Sequence, residues 1–115
     1  GMASKVVYEI IITKPARDRF QFEILSYIER NFSLIRAIEI ENQLAELLLS
    51  LQINPQRGSV EKSIKGKQSI FRFILFQETK YLEIKIVYVI DESKNLVQVT
   101  DFFLTKMNPA KMRFS

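Results

Sequence analysis

Three apolar-rich runs late in the chain, at 70–76, 81–90 and 96–103, are separated only by Gln77-Glu78-Thr79-Lys80 and Asp91-Glu92-Ser93-Lys94-Asn95. Neighbouring strands can run parallel only if a crossover of a dozen or more residues joins them. Polar breaks this short therefore dictate antiparallel hairpins. The second half of the chain is expected to be a three-strand antiparallel meander, not a parallel α/β sheet.

The first half reads differently. Val6-Val7-Tyr8-Glu9-Ile10-Ile11-Ile12-Thr13 is rich in β-branched and aromatic residues and reads as a strand that Thr13-Lys14-Pro15 ends. Proline is tolerated in the first turn of a helix, so a helix begins at about Pro15 or Ala16. Its apolar face carries Phe20, Ile24, Tyr27 and Ile28, and Asn31 closes it. A longer second helix comes next, capped by Ser33 and ending near Ile53, with Ala37, Ile40, Leu44, Leu47, Leu48 and Leu51 as its stripe. Ile35, Ile38, Ala45 and Leu49 widen the apolar surface, which is either a thick core or a landing surface for a partner. Asn54-Pro55-Gln56-Arg57-Gly58 stops this helix, because proline disfavours helical geometry in the residue before it. Residues 56–69 form a basic connection with Arg57, Lys62, Lys65 and Lys67. The fold class is thus α+β: an N-terminal strand, a two-helix hairpin on one face of a sheet, then the meander.

Alternation sorts the strand residues by face. Leu82, Ile84, Ile86, Tyr88 and Ile90 are expected to face the helices, with Tyr81, Glu83, Lys85, Val87 and Val89 on the open side. Phe71, Phe73 and Leu75 read as core, which puts Arg72 on the open face beside Lys85. Val97, Val99 and Phe103 read as inward. Asp101 shares their parity, so it is either solvated at the sheet end or partnered by a base. Tyr88 reads as a core residue with a hydrogen-bonded hydroxyl.

Composition narrows the chemistry. The 115 residues suit one domain with one core, and only three Gly and three Pro leave little for flexible linkers. Gly1 ahead of Met2 reads as a tag remnant, and about 104–115 as a basic tail carrying Lys106, Lys111 and Arg113. The chain opens straight into a strand pattern rather than a signal peptide, and no apolar run nears the roughly 18–20 residues of a membrane span. A cytoplasmic location is the expectation. Without cysteine there is neither disulfide nor thiolate metal site, and without histidine the usual general base and metal ligand is missing. Any catalysis has to run on Arg, Lys, Tyr or carboxylates. The formal charge of +4 is unevenly placed. Residues 1–54 carry six Lys/Arg against seven Asp/Glu, and residues 55–115 carry eleven against six. A basic half suits phosphate or an acidic partner, although a solvated surface with a modest bias is the simpler account.

Read in order, several stretches resemble the RelE/ParE superfamily of toxins and plasmid-stabilisation proteins, over nearly the whole chain from about Tyr8 to Met112. Ile11-Ile12-Thr13-Lys14-Pro15-Ala16 is similar to the family's opening strand and its turn into a helix. Leu51-Gln52-Ile53-Asn54-Pro55-Gln56-Arg57-Gly58 resembles its "L-x-x-N-P-x-x-G" hairpin end, and Ile70-Phe71-Arg72-Phe73 the strand that often carries an arginine. Lys85-Ile86-Val87-Tyr88-Val89-Ile90-Asp91 resembles "R-[LIV]-x-Y-x-[IV]-[DE]" with lysine for arginine. Val99-Thr100-Asp101-Phe102-Phe103-Leu104-Thr105-Lys106-Met107-Asn108-Pro109 is similar to a last strand running into "R-x-N-P".

The resemblance implies the toxin of a bacterial type II toxin–antitoxin pair, neutralised by a cognate antitoxin protein and aimed at either the ribosome with its mRNA or DNA gyrase. It leaves monomer and oligomer both open. It calls for no cofactor and no metal, since the family's nucleases help the RNA 2′-hydroxyl attack its own phosphate with basic residues. Carried over, Lys85 stands at the phosphate-binding arginine, Lys106 near a second basic position, and Arg72 adds a third cation. These three are the candidate catalytic residues. Lysine gives up the planar fork of arginine, and the stretch after Lys106 holds no Tyr or His. Weak or absent RNA cleavage is therefore expected. The readings left open are a ribosome-dependent mRNA endonuclease and a degenerate member that only binds its partner.

Overall fold

The computed structural model describes residues 6–64 and 69–107. Strand β1 (Glu9–Ile12) leads into α1 (Lys14–Arg19), a π-helical turn (Phe20–Leu25) and α2 (Ser26–Asn31), which together form one rod. The hairpin returns through α3 (Leu34–Leu49) and a 3₁₀ turn (Ser50–Gln52). A second 3₁₀ turn (Pro55–Arg57) and the two-residue strand β2 (Ser59–Val60) precede β3 (Phe71–Thr79), β4 (Leu82–Asp91) and β5 (Leu96–Met107). The expected α+β layout is what the chain adopts.

Local chemistry sets the boundaries. The Thr13 hydroxyl accepts from the Ala16 amide at 3.3 Å with proline in the first turn, and the Ser33 hydroxyl accepts from Arg36 N at 2.9 Å. Each satisfies an amide that the first helical turn leaves unpaired. The π turn inserts one residue and rotates the helical face beyond it. Ile24 and Ile28 are buried, while Phe20 and Tyr27 are only half-buried. At the β4–β5 turn, Asn95 takes φ 50°, a left-handed conformation that asparagine tolerates.

The sheet order is β1-β5-β4-β3-β2. β1 runs parallel to β5, and every other pair is antiparallel. The helical hairpin covers one face. The core there joins Ile24, Ile28, Ile40, Leu44, Leu48 and Leu51 to Ile74, Leu82, Ile84, Ile86, Tyr88, Val97, Val99 and Phe102. Arg36 of α3 pairs with Glu78 of β3, tying hairpin to sheet.

Three strand expectations are corrected. First, Arg72, Ile74 and Phe76 pair with Tyr88, Ile86 and Ile84, so this parity of β3 faces the helices. Phe71, Phe73 and Leu75 lie on the other face, and Leu75 is 47% exposed. Both parities of Phe71-Arg72-Phe73-Ile74-Leu75-Phe76 are apolar, so alternation alone could not choose between them. Second, the β4–β5 register shifts between Val87↔Asp101 and Tyr88↔Val99, leaving Thr100 as an extra residue. A bulge reverses parity beyond it. Phe102 is therefore buried, and Phe103 turns outward at 40% exposure. Third, β5 continues to Met107, so 104–107 is strand rather than tail. The connection at 56–69 also contains a strand, β2, that its polar composition did not announce.

Candidate functional site

The open sheet face centres on Lys85 of β4, whose cross-strand partners are Leu75 and Phe103. Its ammonium lies 4.4 Å from the centroid of the Phe73 ring, a cation–π contact, and forms an ion pair with Glu61, just past β2. Glu61 is only 8% exposed. Its carboxylate also accepts from the Ser63 amide at 3.1 Å and the Ser63 hydroxyl at 2.8 Å. Lys85 first, then Ser63, hold its pKa down from 4.5 to about 2. A carboxylate thus already sits where the resemblance would place a phosphate.

Arg72 is not beside Lys85. It lies on the helix-facing side, where its guanidinium donates to the carbonyl oxygens of Gly58 at 3.0 Å and Gln56 at 3.4 Å. Those carbonyls belong to the segment that also receives Tyr88. The Tyr88 hydroxyl, fully buried, donates to Pro55 O at 2.5 Å and accepts from Gly58 N at 3.1 Å. Burial raises the Tyr88 pKa and keeps the hydroxyl a donor. Gly58 is required by close approach, since a Cβ there would overlap the Tyr88 hydroxyl and come 2.8 Å from Phe73 O. Nearby, Glu92 accepts from the buried Tyr8 at 2.7 Å and from Gln56 at 2.9 Å. Arg72 and Tyr88 thus hold the end of the helical hairpin to the sheet.

Register places Lys106 opposite Glu83 on β4. Its side chain, like Lys111 and Arg113 altogether, lies outside the described residues, as do Lys65 and Lys67 of the basic connection. Sequence reasoning left the partner of Asp101 open and did not name Arg19. Arg19 Nε sits 2.7 Å from Asp101, and its guanidinium lies 5.1 Å from the Phe103 ring centroid. The parity mismatch of Asp101 was the available signal. Glu61 was missed too; its only mark is being the one acid among the lysines and arginine of 56–69.

A second surface belongs to α3. Leu34, Ile35, Ile38 and Leu49 are 58%, 70%, 49% and 56% exposed, so the extra apolar residues are surface, not core. A separate group of α3 residues lines an apolar cleft of about 230 Å³, where Glu41, Leu44, Ala45 and Leu48 meet Ile12, Arg17, Phe20 and Phe102. Among the described residues, no group of acidic side chains is arranged to hold a metal ion, and no helix is long and apolar enough to cross a membrane. Comparison with known protein families and with curated protein sequences gives no match.

Proposed function

We propose that this chain is the toxin of a bacterial type II toxin–antitoxin pair, a cytoplasmic member of the RelE/ParE superfamily that acts by binding and is restrained by a cognate antitoxin. One observation carries the reading. Three stretches that resemble the family, around Pro55–Gly58, Arg72 and Tyr88, meet in one buried hydrogen-bonded cluster. Residues from three of the five resembling stretches thus fasten the end of the hairpin to the sheet, as expected if they encode a shared fold.

Binding is favoured over cleavage because both candidate cations with described side chains are already engaged. Arg72 is bonded to backbone carbonyls, and in the free chain Lys85 is paired with Glu61. The resemblance itself supplies the antitoxin, and the exposed apolar side of α3 is the surface that would profit most from being covered.

Induced expression, with and without the product of the adjacent reading frame, tests the proposal. Growth arrest relieved by the neighbour supports it. Growth unaffected by either, with no binding between the two products, overturns it. Mapping mRNA 5′ ends after brief induction separates the enzymatic reading. Codon-positioned cuts that vanish in Lys85→Ala would make the protein an endonuclease.

A further inference from the structure

We infer that Glu61 is an intramolecular plug for an anion site at Lys85, and that a phosphodiester of single-stranded nucleic acid reaches Lys85 only by displacing it. The inference rests on the proposed toxin reading, in which Lys85 stands at a phosphate-binding position by resemblance. The Lys85 ammonium has Phe73 against it and the Glu61 carboxylate paired with it, so its charge is met from within the chain. A phosphate and a carboxylate are both oxyanions that take the same donors, so the two compete for one ammonium.

The plug is anchored by little backbone. Glu61 comes directly after a strand of only two residues, whose register spans Phe73 and Arg72, and its amide makes one further bond to Phe71 O at 2.7 Å. Rotating the carboxylate away breaks the Lys85 pair and the two bonds from Ser63, and leaves that backbone in place. The surroundings favour nucleic acid over an acidic peptide. Phe73 lies under the ammonium, and Phe103, the β5 partner of Lys85, is 40% exposed with the Arg19 guanidinium 5.1 Å from its ring centroid. Flat aromatic surfaces beside a cation suit a base next to its phosphate, whereas a carboxylate side chain gains nothing from them.

Fluorescence anisotropy with a short, labelled, mixed-sequence single-stranded RNA tests the plug. Glu61→Gln keeps the shape and removes the charge. It should bind about tenfold tighter than the wild type, the scale of one close charge pair. The gain should vanish in Glu61→Gln/Lys85→Met. Equal affinity of wild type and Glu61→Gln, with Lys85→Met weakening both, overturns the plug and leaves the reading of Lys85 intact. A gain that survives Lys85→Met also overturns the plug, as a general charge effect. No effect of Lys85→Met in any background removes the reading together with the plug. A polyglutamate peptide binding Glu61→Gln as well as the RNA does would overturn the choice of nucleic acid. Should Glu61→Gln fail to fold, the carboxyl ¹³C resonance of Glu61 in the wild-type protein gives the answer. It should shift on saturation with RNA, and a fixed resonance overturns the proposal.

Discussion

The Tyr88 hydroxyl donates a 2.5 Å hydrogen bond to the carbonyl of Pro55, joining the middle of β4 to the turn that ends the helical hairpin. The same oxygen accepts the Gly58 amide, so one side chain satisfies two backbone groups of a buried turn. Replacing it with phenylalanine keeps the ring and orphans both. Tyr88→Phe should lose roughly 1–3 kcal/mol. Urea denaturation measures this, and a loss near zero would mean that water or a shifted turn takes over the bonds.

Gly58 stands under that hydroxyl for want of room. Gly58→Ala brings a Cβ too close to both the Tyr88 hydroxyl and the Phe73 carbonyl, and the latter is sheet backbone. The expected cost is about 1–3 kcal/mol, as for other overpacked sites. Its backbone φ of −74° suits alanine, so steric overlap alone accounts for the loss. In the Tyr88→Phe background the hydroxyl oxygen is gone, and the penalty of Gly58→Ala should be smaller. A double-mutant cycle reads the coupling.

Neighbouring leucines on α3 should part company. Leu48 is 7% exposed, so Leu48→Ala should cost about 2–5 kcal/mol. Leu49 is 56% exposed, and Leu49→Ala should stay within about 0.5 kcal/mol. If this side of α3 receives the antitoxin, Leu49→Ala should instead raise the dissociation rate of the complex while barely changing association. Surface-plasmon kinetics against the product of the adjacent gene would show it. An unchanged off-rate removes Leu49 from the interface.

Glu61 predicts a dependence on pH. Lys85 and the Ser63 donors hold its folded pKa at about 2, below its ordinary 4.5. A depressed carboxylate pKa stabilises the folded state above the unfolded value, and that stability is lost as pH falls through the folded value. Wild type should therefore lose stability relative to Glu61→Gln between about pH 4.5 and 2, with a constant difference above that window. Parallel thermal melts over pH 2–7 check it. Parallel curves throughout would mean that the carboxylate titrates alike in both states.

How much of this was legible depends on whether the signal was local. β4 opens as Leu82-Glu83-Ile84-Lys85-Ile86, apolar and charged in turn, and Leu82, Ile84, Ile86 and Tyr88 are in the core as that parity required, although Val87 and Glu83 on the other face are buried as well. Ser33 caps α3 and Asn54-Pro55 ends the hairpin, because capping and proline sterics act within a turn. β3 was not legible, since Phe73 and Ile74 offer apolar surface to either face. Only pairing with β4 decided that Ile74 goes in and Phe73 goes out.

The candidate site divides in the same way. The sequence by itself determined an α+β chain with an antiparallel meander, Tyr88 in the core, and chemistry without histidine or cysteine. Tertiary structure alone decided that Arg72 serves the hairpin turn, that a bulge at Thr100 sends Phe103 outward, and that Glu61 meets Lys85. Propensity and alternation are properties of a few consecutive residues. Register, bulges and ion pairs are settled by which distant segment arrives opposite, and a single strand carries no record of its neighbour.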